Sequence, residues 1–332
     1  MNESTFFKDN FDELMHLFAE EKPFVLFLGA GINCSFENMG WDDLLNYLMQ
    51  CALSILSLEE NLSTDEKNNI SEILKNPQKF SVYQKATLIK KVLGENYIGY
   101  LQSYLYSNCN TERIAAKLDN PDNFLIEIAK LILRQKNIHA VVTYNYDNYL
   151  TTAINLLKNK KKDEYRDIDT IDIFRTIQQL AHKRHKLPIF HVHGFIPPPN
   201  QVIHEEAENL VLAMDEYFHN MIESFSWQTT TQLFYLNNYN CLFLGTSLDD
   251  WNMLRALAYS GSFSKAVQHY VLFRNEYYKK GAKVSMFMNR IKSTMLNDLG
   301  IKPIFTDTDN YDELAQIIIK LQQNGDSHGY IK

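Results

Sequence analysis

Phe24-Val25-Leu26-Phe27-Leu28-Gly29-Ala30-Gly31 is an unbroken apolar run that stops at a glycine turn. Five consecutive apolar residues leave no polar face, so the run reads as a strand buried on both sides, as in a parallel sheet. The same reading extends along the chain. His139–Thr143, Leu187–Val192, Cys241–Leu244, His269–Phe273 and Lys302–Phe305 are further short strands. Between them lie segments of helical periodicity: Trp41–Leu56, Asn148–Leu157, Thr170–His182, Asp215–Phe225, Gln228–Leu236, Asp250–Tyr259, Lys283–Leu299 and Tyr311–Gln322. Strands alternating with helices of this length predict an α/β fold, a doubly wound, mostly parallel Rossmann-like sheet with right-handed crossovers. Residues 60–135 carry no convincing strand and are expected to form helices, among them Pro121–Arg134 with Asn120 as N-cap. The expected organisation is one domain over 1–332, with 60–135 as a helical insertion or subdomain.

At 332 residues and 45% apolar content the chain can build a sizeable core. A net charge of −7 disfavours direct nucleic-acid binding. The one dense basic segment, Lys158, Lys160, Lys161 and Lys162, runs into Asp163 and Glu164 and reads as a solvated loop. Cys34, Cys51, Cys109 and Cys241 form no Cys-x-x-Cys pair, which argues against a zinc ribbon and fits a reducing cytoplasm. The first residues lack the basic and apolar segments of a signal peptide, and no apolar run is long enough to span a bilayer. A cytoplasmic protein with no membrane contact is expected.

Ligands of open α/β sheets bind beyond the carboxyl ends of the strands. Four polar clusters occupy such positions. Gly29-Ala30-Gly31 follows the first strand, and two glycines there allow close approach of a pyrophosphate; a plain tight turn is the alternative. A full Gly-x-Gly-x-x-Gly is missing, because Cys34 stands at its last position. Thr143-Tyr144-Asn145-Tyr146-Asp147 follows the second strand, where Asp147 could equally form an Asx turn before a helix. His191-Val192-His193-Gly194 ends LPIFHV; alternation predicts both imidazoles on one face, one suited to acid–base work. Gly245-Thr246-Ser247-Leu248-Asp249-Asp250 follows CLFL, with either aspartate able to cap the next helix.

In this order the clusters resemble the sirtuin superfamily, especially the sirtuin-like NADase domains of bacterial antiphage defence. The resemblance rests on Gly29-Ala30-Gly31, Thr143–Asp147, His193-Gly194 and Gly245-Thr246-Ser247 with Asp250 and Asn252 behind, and it spans roughly residues 24 to 275. It implies NAD+ as substrate, and the absence of paired cysteines leads us to expect no metal. It implies Asn145 as the catalytic asparagine that orients ribose or water, and His193 as general base. Asp147 would hold the nicotinamide carboxamide, and Gly29, Ala30, Gly31, Asn33, Gly245, Thr246, Ser247 and Asp250 would line the dinucleotide. Two departures stand out: the zinc module of deacylating sirtuins is absent, and Asn33 replaces the family's usual serine. The missing module favours NAD+ hydrolysis to nicotinamide and ADP-ribose, depleting cellular NAD in abortive infection. Nicotinamide leaves as a neutral molecule, so an orienting amide and a proton-accepting imidazole suffice.

Three other readings compete. An NAD-dependent protein deacylase would need an acylated peptide. A non-catalytic sensor of NAD or ADP-ribose would need neither Asn145 nor His193. A metal hydrolase would use His191 and His193 with His182, His185 or His204. The resemblance also implies homo-oligomers or a second defence protein as regulator, because unrestrained NAD hydrolysis would poison the cell. The aromatic stretch around Tyr97, Tyr100, Tyr104 and Tyr106 is either the docking surface or core.

Overall fold

The computed structural model describes residues 3–36, 40–76, 78–161, 163–174, 186–199, 201, 210–223, 225–261 and 267–326. Its strands are β1 (Phe24–Leu28), β2 (Ile138–Thr143), β3 (Thr170–Ile173), β4 (Leu187–His191), β5 (Asn240–Leu244), β6 (His269–Phe273) and β7 (Ile301–Phe305). They form one sheet of order β3-β4-β2-β1-β5-β6-β7, with every adjacent pair parallel. The helices are α1 (Glu3–Ala19), α2 (Trp41–Glu59), α3 (Thr64–Lys75), α4 (Val82–Leu93), α5 (Tyr97–Asn108), α6 (Thr111–Ala116) and α7 (Phe124–Arg134). They continue with α8 (Tyr149–Lys160), α9 (Met214–Ile222), α10 (Trp227–Asn238), α11 (Trp251–Ser260), α12 (Ala282–Asp298) and α13 (Tyr311–Asp326).

The period-2 pleat of β1 explains the double winding. Phe24, Leu26 and Leu28 enter one core with Leu14, Leu48, Ile128, Ile154 and Ile318, from α1, α2, α7, α8 and α13. Val25 and Phe27 enter a second core with Leu236, Leu257 and Leu296, from α10, α11 and α12. All five β1 residues are fully buried. Each such side chain contributes about 1.5–3 kcal/mol by leaving water. Chain direction reverses at β1: the connection after β1 leads to β2 on one side, and the one after β5 leads to β6 on the other. In open α/β sheets such a divergence marks the expected ligand crevice, here at the carboxyl ends of β1 and β5.

Residues 64–116 hold α3–α6, of which α4 reaches α9: Lys90 Nζ pairs with Glu216 Oε1 at 2.7 Å, and Met214 N–H donates to Thr87 Oγ1 at 2.9 Å. Thus α4 is tied to the segment that follows β4.

Three local expectations are corrected, and one alternative left open above is narrowed. Thr170–Ile173 is a strand, not the start of a helix; Thr-Ile-Asp-Ile is a β-branched, alternating edge segment, and its pairing with β4 outweighs helical periodicity. The rest of the expected helix, 175–182, lies outside the described residues. The N-cap of α7 is Asn123, whose side chain accepts from Ile126 N–H, while Asn120 makes an Asx turn to Asp122. Lys158 and Lys160 belong to the last turn of α8, and ion pairs with Asp169 and Asp119 fix their ammonium groups. Among the tyrosines considered for docking, Tyr97 and Tyr104 are buried, and Tyr106 donates inward to Ile196 O at 2.7 Å.

Candidate active site

Two glycine turns meet at the crevice. Gly31 N–H donates to Gly245 O at 2.7 Å, and a Cβ on Gly29 or Gly31 would lie 2.7 Å from that same oxygen. Gly245 has φ +65°, and a Cβ there would sit 2.4 Å from Ile32 N. These glycines therefore let the β1 and β5 turns pack backbone to backbone. Ala30 and Ser247 stand exposed at the rim, while Thr246 Oγ1 accepts from Leu248 N–H at 3.1 Å.

The Thr143–Asp147 loop is anchored on several sides. Asn145 N–H donates to Thr143 Oγ1 at 3.1 Å, and Asn145 Nδ2 donates to Gly29 O at 3.3 Å. Asp147 Oδ1 accepts from Tyr149 N–H at 3.0 Å, and Oδ2 accepts from Asn33 Nδ2 at 3.1 Å. So Asp147 does form the Asx turn before α8 and also joins the turn after β1. Burial pushes its carboxyl up to about 6, against the opposing pull of the Tyr149 N–H, His191 and Asn33. A cleft lined by Ile32, Asn145, Asp147, Thr151, Asp172 and His191 opens beside this loop.

The two histidines part company. β4 ends at His191, and the chain then turns, with Gly194 N–H donating to His191 O and Gly194 at φ +93°. This turn removes His193 from the pleat, so the expectation of a shared face fails. His191 Nδ1 lies 3.1 Å from Asn145 O, and its Nε2 lies 2.9 Å from Asp172 Oδ1. His193 packs edge-on against Tyr144 and Tyr217, with ring centroids 4.7 and 5.7 Å away. Its Nε2 is 3.6 Å from Asp250 Oδ1, too long for a hydrogen bond, and lacks a partner among the described residues. Burial holds the His193 ring below the ordinary 6.5, with Asp250 and Glu216 pulling the other way. Asp250 itself caps α11, accepting from Met253 N–H at 2.9 Å, and takes the Tyr217 hydroxyl on Oδ2 at 2.5 Å. Burial first, then the Asp250 charge, pushes the Tyr217 hydroxyl far up, so it stays a donor.

Asn33 Oδ1, His193 Nε2 and Asn252 Oδ1 are buried without a hydrogen-bond partner among the described residues. All three belong to segments that follow a strand's carboxyl end, and buried polar atoms left in this state are costly unless a ligand or water meets them. A polar ligand in the crevice fits that pattern. Sequence reasoning missed Asp172, Tyr217 and Tyr83, whose ring lies 4.5 Å from Tyr217 and 5.1 Å from Trp251. Alternation in Thr170–Ile173 was the available signal for Asp172; the tyrosines carried none. His182, His185 and His204 lie outside the described residues, and among those described no three His, Cys, Asp or Glu side chains gather as a metal-binding group. The four cysteines are free, and no described helix is long and apolar enough to cross a membrane.

Comparison with known proteins gives three results. No curated protein sequence matches the chain significantly. A solved structure described as "Structural Basis for the Mechanism and Regulation of Sir2 Enzymes" aligns over 96% of this chain and 99% of its own, at 10% identity and a TM-score of 0.40. The family model for the SIR2-like domain matches residues 139–304, from β2 to β7 and half of the chain. The chain belongs to the SIR2-like domain family.

Proposed function

We propose that the chain is an NAD+ glycohydrolase, releasing nicotinamide and ADP-ribose. Family membership points to NAD-dependent chemistry, and the observation that carries the finer reading is the His193 ring. It is buried, burial favours its neutral form, and Nε2 has no hydrogen-bond partner among the described residues while Asp250 stands 3.6 Å away. A neutral imidazole with an open nitrogen accepts a proton, and the nearby carboxylate stabilises the imidazolium that results. Tyr144 and Tyr217 wall the ring in and limit its rotation.

Asn145, held at its main chain and by Gly29 O, orients the ribose or the attacking water. Asp147 keeps lone pairs beyond those used by Tyr149 and Asn33, and with these it accepts from the nicotinamide carboxamide. Gly29, Ala30, Gly31, Asn33, Gly245, Thr246 and Ser247 line the dinucleotide, with Asp250 fixing the first turn of α11 behind them. The bond broken joins ribose to a pyridinium, so nicotinamide departs neutral and needs no general acid. His193 takes the proton of the incoming water. We treat 1–332 as one functional domain in which 60–135 is a helical insertion.

The reading extends to regulation and setting: a cytoplasmic enzyme of bacterial antiphage defence, kept inactive until self-assembly or a second defence protein releases it. Exposed apolar side chains support assembly. Val284, Phe287, Ile291 and Met295 form a stripe along α12, and Phe218, Met221 and Ile222 stand out from α9. The experiment is incubation of the purified chain with NAD+, with and without acyl-lysine peptide, while nicotinamide is followed. Release without peptide supports hydrolysis; release only with peptide would make the chain a deacylase.

A further inference from the structure

His191 is 1% exposed at the end of β4, and both of its ring nitrogens face acceptors. Nδ1 meets the main-chain oxygen of Asn145 at 3.1 Å, and Nε2 meets Asp172 Oδ1 at 2.9 Å. A carbonyl oxygen only accepts, so Nδ1–H is the side that donates to Asn145, and Nε2 is left facing the Asp172 carboxyl. Thr151 Oγ1 stands 2.8 and 2.9 Å from the two Asp172 oxygens and fixes that carboxylate from α8. The sheet register produces the alignment. Asp172 pairs with Ile189, and His191, two residues on, shares its face; Thr143 pairs with His191, so Asn145 follows directly beyond.

We propose that His191 and Asp172 form a positioning pair that holds the Asn145 peptide, and through it the Asn145 side chain, in the geometry the reaction needs. The proposal rests on the reading of Asn145 as the orienting asparagine. His191 is not a second base, since both nitrogens face partners; that role requires an open nitrogen such as His193 Nε2, which has no hydrogen-bond partner among the described residues. The arrangement is a chain from β3 to β4 to the β2 loop, in which Asp172 orients the ring, the ring donates to the Asn145 carbonyl, and Asn145 Nδ2 reaches Gly29 O. Phe195, whose ring centroid lies 4.8 Å from that of His191, blocks rotation of the imidazole.

The test uses Asp172, because truncating a buried histidine risks the fold. Asp172→Ala leaves the ring without its anchor, whereas Asp172→Asn can donate Nδ2–H to Nε2 and leave Nδ1–H on the Asn145 carbonyl. For NAD+ cleavage by the full chain, Asp172→Ala should lower kcat about 10- to 100-fold with KM changed less than about twofold, and Asp172→Asn should restore kcat to within about threefold of wild type. In an Asn145→Ala background Asp172→Ala should cost nothing more. Unchanged kcat in Asp172→Ala, or equal loss in Asp172→Asn and Asp172→Ala, overturns the proposal. A second readout is independent of turnover. ¹⁵N NMR of labelled histidine should show a hydrogen on His191 Nδ1, and the Asn145 side-chain amide signal, assigned by its loss in Asn145→Ala, should move or broaden in Asp172→Ala but not in Asp172→Asn. An unprotonated His191 Nδ1, or an Asn145 signal indifferent to Asp172→Ala, refutes the pair. If the wild type releases no nicotinamide while these signatures hold, it is the functional reading that fails.

Discussion

Asp147→Asn should stabilise the protein at neutral pH while disabling the site. Burial raises the Asp147 carboxyl from 3.8 to about 6. Its ionised form is therefore disfavoured in the folded state, by about 3 kcal/mol at 1.36 kcal/mol per pK unit. The sign follows from linkage. Because the folded value is the higher one, the penalty is fully present above about 6, shrinks as pH falls, and vanishes below the unfolded value near 3.8. An amide removes the charge and preserves the contacts: its oxygen still accepts from Tyr149 N–H, and its Nδ2 can donate to Asn33 Oδ1, which has no partner among the described residues, once the Asn33 amide flips. Urea unfolding of both proteins should show Asp147→Asn ahead by about 3 kcal/mol at pH 7.5 and by only about 1 kcal/mol at pH 4.5. A variant less stable than wild type at pH 7.5, or a difference that does not change with pH, would refute the burial argument. If Asp147 holds the nicotinamide carboxamide as proposed, nicotinamide release by the variant should fall at the same time.

Other expected outcomes follow from the same geometry. Gly245→Ala, at φ +65° and with its Cβ 2.4 Å from Ile32 N, should lose more than about 2 kcal/mol in urea unfolding; a neutral result would mean the two turns separate freely. If Asp147 must be ionised, the acid limb of NAD+ cleavage should centre near 6, leaving about a tenth of the rate at pH 5; a flat profile down to pH 5 contradicts this. Asp250→Asn removes the charge that raises the His193 value, so any acid limb due to His193 should move to lower pH in a pH–rate series. Chelators should leave the cleavage rate unchanged, and complete loss that zinc restores would favour the metal reading.

What the sequence made legible depends on burial. β1, β2, β4, β5 and β6 are short apolar runs because the sheet is covered on both faces, and such runs announce themselves. β3 does not: it is a four-residue edge strand with an aspartate in it, and its pairing with β4 is invisible locally. The strand-end filter singled out Asn145, Asp147, His193 and the two glycine turns. It could not say that Asn33 reaches Asp147, 114 residues away, or that Tyr217 reaches Asp250, 33 residues on. Alternation also misplaced His193, because the turn at Gly194 takes it off the strand. Backbone pattern is encoded locally, whereas side-chain partners across the crevice are set by which strands end side by side.

The most direct measurement is nicotinamide release from NAD+ by wild type, Asn145→Ala and His193→Ala, compared at matched assembly state and with folding verified by urea unfolding. Wild type should release nicotinamide without acylated peptide, and His193→Ala should lose about 10²- to 10⁴-fold, the usual contribution of a general base, with Asn145→Ala similarly impaired. A folded His193→Ala or Asn145→Ala variant that cleaves NAD+ at the wild-type rate, or a wild type that releases nicotinamide only when an acyl-lysine peptide is present, would contradict it.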